Sequence, residues 1–462
     1  MPITATKYNM KHTSLLGHSL LILTTLLCFA IPDLLAAQHP ERLPLSTYAA
    51  LPRVKGIALS PDGQRIALIQ SESGIELIVT MDLVSKQRQV VFTNSNSKVG
   101  YNWVKWANNR ELLISSRFMT NVQNTKIYGT TMLVANADGT NVRRIIKHRP
   151  GDWSPQYLDR IVDILENDPD HILLSVDLAS PGEPQVCRVN LQRNTCGKVV
   201  QNFKRDIRRW LTDRQQEIRI GFYRKGATNR VLYKAPGERE FEPLWDFESY
   251  SQDKIKILGF DPDRYTLYIV TLHDGRDSIF KIDVREPGDQ KLIYAHPLYD
   301  VSGSLFYSAK SGAVIGIRST MLGGISFWDP SYKAFERALK NTFKDRQVLV
   351  LDMDRTEQTY IVMTSGTKDP GTFYLGQGTT VTRLARLYPG LDESNIHGKK
   401  MVTYEASDGT EIEGFLARPS WAGSSEPLPT VIFPHGARSL VTIPNLTTGQ
   451  SSLQAGDIRC CR

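Results

Sequence analysis

What this chain lacks narrows its reading more than what it holds. Five cysteines among 462 residues are too few for a disulfide scaffold. Cys28 sits in an apolar leader and Cys460 and Cys461 in the last three residues, which leaves Cys187 and Cys196. No Cys/His spacing resembles a metal site, so neither a metal nor a cofactor is expected. After the leader no apolar run is long enough to cross a bilayer. Helical periodicity is scarce, with 157–165 and 334–343 the best candidates for short connecting helices. There is also no G-x-S-x-G: Gly17-His18-Ser19, Gly324-Ile325-Ser326 and Gly449-Gln450-Ser451 all miss the closing glycine.

Basic charge is present but not concentrated. The formal net charge is +8, of which residues 1–37 carry +1 and residues 437–462 carry +2, leaving +5 along the body. The densest cluster, "FKRDIRRW" at 203–210, reads as a solvated face, and no nucleic-acid partner is expected. The leader has Lys7, Lys11 and His12 before an apolar run from Leu15 to Ile31, then Pro32-Asp33 and the small pair Ala36-Ala37. That order describes a secretory signal over 1–37 and a secreted or periplasmic product. Left uncleaved, it would be a membrane anchor, the one membrane contact the sequence offers.

What is abundant is short β-type runs punctuated by Asp, Gly, Pro and Asn. "GIALSPDGQRIALIQ" (56–70) sets a Pro-Asp-Gly turn between two alternating apolar segments, a strong hairpin signal. Comparable units start at Trp103, Asp168, Glu217, Ile255, Leu305 and Val348, roughly 45 residues apart with one longer interval. The spacing predicts a mainly-β fold over 38–388, a β-propeller of about seven four-stranded blades. A two-layer sandwich array would also give short regular strands, but no Cys–Trp–Cys pattern of the immunoglobulin type is present. Trp103, Trp106, Tyr233, Trp245 and Trp328 read as blade-packing residues. "QVCRVNLQRNTCGKVV" alternates like a hairpin turning near 192–194, which would set Cys187 opposite Cys196; a cross-strand disulfide and two buried thiols fit equally.

Past Tyr388 the pattern changes. "KKMVTYEASDGTEIEGFLARPSWAGSSEPLPTVIFPHG" reads as strand, Asp-Gly turn, strand, a Gly/Ser/Pro-rich loop, and an apolar strand over 430–433 that ends at His435-Gly436. Antiparallel strands leading to a buried strand and a glycine loop are how many α/β-hydrolase domains open, and that loop helps stabilise the oxyanion.

On "ALSPDGQRIAL", "YEASDGTEIEGFLARP" and "LPTVIFPHG", followed in this order across about 43–436, the chain resembles the prolyl oligopeptidase and acylaminoacyl peptidase family of serine peptidases. The resemblance implies an N-terminal propeller capping a C-terminal α/β-hydrolase domain, with short peptides as substrates. It also implies that His435 and Gly436 start the oxyanion loop, with 389–436 as the opening strands of an incomplete α/β-hydrolase domain. None of the family's Ser, Asp and His can be placed on this sequence. From Ala437 the residues depart from the family pattern. Re-reading 436–442 and 451–462 one frame over permits "GPVARD" and "FLASRGYSVLQ", so 437–462 is expected to be a frameshifted tail. The expectation is peptidase ancestry without activity in these residues; the alternative is a non-enzymatic periplasmic propeller that binds peptides or proteins.

Overall fold

The computed structural model describes residues 43–432, apart from 95, 97, 123, 147–154, 194, 320–323, 394–395, 420–421 and 423–426, together with the backbone of 459–461. The leader, His435, Gly436 and most of the tail lie outside the described residues.

Each alternating run becomes a strand, and consecutive strands within a blade pair antiparallel because connections of two to eight residues are too short for a parallel crossover. In the Pro-Asp-Gly turn, Gly63 takes φ +71° and its N–H donates to the Ser60 carbonyl at 2.8 Å. Four strands in sequence order form each of the blades 54–93, 99–144, 160–201, 207–248 and 256–294. Blade 2 gains a short fifth strand, Tyr157–Leu158, parallel to its third. A seven-stranded sheet over 304–386 is two further blades, with three strands in 304–327 and four in 347–386. They touch through one parallel bridge, Gly324 to Val348. Only glycine suits that point, since its φ is +119° and a Cβ would sit 1.8 Å from the Val348 carbonyl oxygen. The chain therefore builds seven blades.

A four-stranded sheet covers neither of its faces, so stability has to come from the seams between blades. Seven separate apolar clusters do this, one for each pair of neighbours around the ring. Ile69, Tyr101 and Ile114 join blades 1 and 2; Phe306, Phe327 and Val350 join blades 6 and 7. The last seam closes the circle, with Leu59, Ile66 and Val79 of blade 1 against Ile361, Phe373 and Leu375 of blade 7. Among the described residues no strand of one blade completes the other across this seam. Closure rests on packing and a few polar contacts. The Trp residues named from the sequence sit in these seams; Trp106 is buried and its Nε1–H donates to the Ala58 carbonyl at 3.1 Å.

Two sequence expectations need correction. Residues 157–165 are not a helix but the strands Tyr157–Leu158 and Arg160–Asp163. Arg160, Ile161 and Asp163 pair with Ser175, Leu174 and Leu173, Tyr157 and Leu158 pair with blade 2, and strand pairing outweighs an ambiguous period. Cys187 and Cys196 are joined by a disulfide, but not as opposed strand residues. Cys187 faces Val199 across the ladder, while Cys196 lies in the loop before Lys198–Gln201. The other helical stretch stands: Pro330–Thr342 is a helix, N-capped by Asp329, whose carboxylate accepts the Ser331 N–H at 2.9 Å. It lays Leu339 and Phe343 onto the seam between blades 6 and 7.

After blade 7 the chain forms an antiparallel pair, Lys399–Glu405 with Glu411–Ala417, turning at Asp408-Gly409. The backbone of Arg459–Cys461 runs between this pair and Thr430–Ile432. Ile432, in the strand that the sequence reads as apolar and buried, is 78% exposed. Met401 and Tyr404 of the first strand are exposed as well.

Candidate functional site

The first strands of the blades form the inner wall of the ring: they touch one another at the junctions of blades 1 and 2, 3 and 4, 5 and 6, and 7 and 1, while fourth strands such as Lys198–Gln201 and Glu286–Tyr294 are exposed. Strands alternate in direction, so the start of every first strand and the end of every fourth strand lie on one face of the disc. The chain joins blade 1 and leaves blade 7 on this face. The Arg53 N–H donates to the Leu387 carbonyl at 2.6 Å, and the short helix Leu45–Tyr48 sets Tyr48 against Leu391 and Ile396. The chain after blade 7 is thereby tied to the incoming segment on the linker face.

Charge has been placed on the inner wall where apolar residues would pack more cheaply. Asp352, in the first strand of blade 7, accepts the Leu59 N–H of blade 1 at 2.9 Å and the Met353 N–H at 3.0 Å. Lys105 of blade 2 and Arg318 of blade 6 both face this carboxylate, and Arg318 Nε–H also donates to the Val350 carbonyl at 2.8 Å. Desolvation dominates all three. It pushes the Asp352 carboxyl up to about 6, against the opposing pull of the Leu59 and Met353 N–H groups and both cations, and it lowers both the half-buried Arg318 and Lys105, although Lys105 is exposed to solvent. On the opposite side of the ring Asp163 accepts the Thr212 hydroxyl at 2.6 Å, and burial raises its carboxyl. Arg209 of blade 4 stacks 3.9 Å over the Phe222 ring, and the desolvation of that contact lowers it too. Arg209 belongs to the basic cluster at 203–210 and is exposed to solvent, as is Arg208, whose guanidinium donates to the Gly182 carbonyl at 3.0 Å.

Because the folded carboxyl of Asp352 titrates above its ordinary value of 3.8, its contribution to stability is fully present below 3.8 and lost as pH rises through about 6. Asp352→Asn keeps an acceptor for Leu59 and removes that penalty. The expected result is a thermal midpoint above wild type at pH 8, with the gap narrowing as pH falls below about 6 and closed only below about 3.8. A gap that does not change with pH would remove the assignment.

The sequence-predicted site residues are not brought together. His435 and Gly436 lie outside the described residues, and the Cys187–Cys196 disulfide belongs to the outer half of blade 3. Among the described residues no group of His, Cys, Asp and Glu is arranged to hold a metal. Sequence reasoning missed Lys105, Arg318 and Asp352. Lone charges inside otherwise apolar strands, as in "YNWVKW" and "VLVLDM", are the signal that could have found them.

No family model matches the sequence, and no curated protein does. Solved structures do match. A prolyl endopeptidase, studied for the role of inter-domain dynamics in catalysis and specificity, superposes with a TM-score of 0.58 at 14% identity over 92% of this chain and 63% of its own. This chain has the prolyl oligopeptidase fold. A puromycin-hydrolysing peptidase of Mycobacterium tuberculosis gives 0.60 at 11% identity, over 91% of this chain and 68% of that one. Oligopeptidase B of Leishmania major gives 0.54 at 12%, over 90% and 61%. The chain thus spans about 63% of the first of these prolyl oligopeptidase structures. The sequence resemblance and the mainly-β, seven-bladed expectation agree with this fold.

Proposed function

We propose that these residues are the propeller, and the beginning of the catalytic domain, of a secreted serine peptidase of prolyl oligopeptidase type that hydrolyses short peptides. The observation that carries the reading is the route of the chain after blade 7. It is pinned at Leu387 and Leu391 on the linker face and then forms the antiparallel pair that would open a hydrolase domain. A propeller that only binds has no use for such a pair. In this arrangement the ring would stand between bulk solvent and the reacting groups, admitting peptides and excluding folded proteins. Hydrolysis would proceed through an acyl-enzyme on a serine.

We further propose that residues from 437 on are read out of frame, and that these 462 residues by themselves do not hydrolyse peptides. The exposure of Ile432, Met401 and Tyr404 supports a sheet short of its covering layers. The nucleotide sequence after codon 436 tests the reading. The expected result is an alternative frame encoding a glycine-proline loop, a G-x-S-x-G, then Asp and His, whose joined product cleaves aminoacyl-nitroanilides. No such frame, or a joined product without hydrolysis, would end it.

A further inference from the structure

The second and third strands of blade 2, Glu111–Val122 and Thr125–Asn136, have twelve residues each, against eight or fewer for the equivalent strands of the other blades. Their first-strand partner reaches only Val99 opposite Phe118, so the hairpin beyond Phe118 overhangs the disc. A turn between second and third strands lies on the linker face, by the same alternation that puts both linkers there. The overhang roofs a groove of about 750 Å³ floored by the crossing from blade 1 to blade 2 and closed on one side by Leu51 of the incoming chain.

The lining has two unusual properties. Four large apolar side chains exposed to solvent, Leu51, Ile75, Met119 and Tyr128, converge on this one groove. The charges around them are unbalanced. Lys98, Arg117 and Lys126 face a single carboxylate, Glu76, which is already occupied by Lys55 and by the Tyr101 N–H at 2.7 Å. Arg117 is held along the groove wall by the Tyr101 carbonyl at 3.1 Å and the Asn102 side chain at 3.2 Å, both accepting from the same Nη1. Among the described residues Lys98 and Lys126 have no ion-pair partner. Asn94 and Asn121 add amide groups of the kind that pair with a peptide backbone.

We propose that this groove binds an extended acidic peptide, apolar side chains against Met119 and Tyr128 and carboxylates toward Lys98 and Lys126, so that peptides with acidic residues are favoured on the linker face. The proposal rests on the peptide reading above and deepens it, since it names the substrate class. A volume of this size suits a short stretch of chain rather than a domain, and the excess of cations in a concave site selects the sign of the ligand.

The test is fluorescence anisotropy on the purified 462-residue protein with a rhodamine-labelled octapeptide of alternating leucine and glutamate. Saturable binding is expected, weakened about tenfold by Lys98→Glu with Lys126→Glu, and weakened on raising salt from about 50 to about 300 mM. The lysine-for-glutamate peptide is expected to bind at least about tenfold more weakly than the acidic one. Both lysines are on the surface, and an unchanged thermal midpoint checks that the variant folds. Met119→Ala with Tyr128→Ala should weaken both peptides without altering their ratio. Equal affinity in the charge-reversed variant, or no preference for the acidic peptide, overturns the groove assignment. Because binding is read without hydrolysis, an inactive joined product would sink the peptidase reading and leave the groove standing.

Discussion

Asp213→Ala is expected to cost about 3–5 kcal/mol of folding stability, measured as a drop in the urea midpoint at constant slope. Asp213 follows the first strand of blade 4 and is sealed from solvent together with its partner, Arg219. One carboxylate oxygen accepts the N–H groups of Gln215 and Glu217 at 2.9 Å each; the other accepts the Arg219 Nε–H at 2.7 Å. Alanine removes both acceptor oxygens and all three hydrogen bonds. It leaves a guanidinium in the interior with only a long contact to the Ala235 carbonyl, at 3.5 Å. The loss comes mainly from that stranded charge rather than from the pair's own attraction. Adding Arg219→Met to the alanine variant should therefore recover at least half of the loss. A single-variant cost under about 1 kcal/mol would mean that Arg219 finds water, and that the site is not sealed.

Ile361→Ala is expected to cost about 2–5 kcal/mol, the range for emptying a fully buried aliphatic position. Its place matters as much as its size. Ile361 is 0% exposed at the seam between blades 7 and 1, where the ring closes. Ile114, equally buried between blades 1 and 2, provides the matched comparison. Both alanine variants lose the same atoms, but only Ile361→Ala loosens a junction whose two blades are not consecutive in the chain and so have no connecting segment between them. Limited proteolysis should first cut the Ile361 variant within blades 1 or 7, and should cut the Ile114 variant with no preference for that seam. The same first cuts in both variants would show that closure is no weaker than any other seam.

The blades were readable because their signals are local. The Pro-Asp-Gly turn at 61–63 and the alternation on either side of it define a hairpin without help from the rest of the chain. Repetition of that unit then implies radial stacking, since a lone sheet cannot cover its faces. The helix at 330–342 was readable for the same reason, having its cap and its apolar stripe within one turn of each other. Residues 157–165 failed the local test. "YLDRIVDIL" satisfies a helical period, and only its pairing with 171–176 makes part of it a strand. The disulfide's position was hidden by a register: the hairpin loop is longer than its alternation implied, so Cys196 falls before the ladder begins.

The channel charges needed more than sequence could offer. Asp352 and Lys105 are nearly 250 residues apart, and they meet only because blade 7 returns to blade 1. The groove under blade 2 is hidden in a similar way. "ELLISSRFMTNV" and "TKIYGTTMLVAN" are each recognisable as strand, but their overhang appears only when the first strand is seen to stop short. His435 and Gly436, by contrast, lie outside the described residues, and their place in an oxyanion loop is an expectation from motif alone.

The account holds that the propeller and the opening of the catalytic domain are here while the reacting serine, aspartate and histidine are not. Intact-mass analysis of the purified 462-residue protein after incubation with a fluorophosphonate probe tests this most directly. The predicted result is an unmodified mass, with aminoacyl-nitroanilides left uncleaved in the same preparation. An adduct mapped to one serine, together with hydrolysis that the probe abolishes, would contradict it.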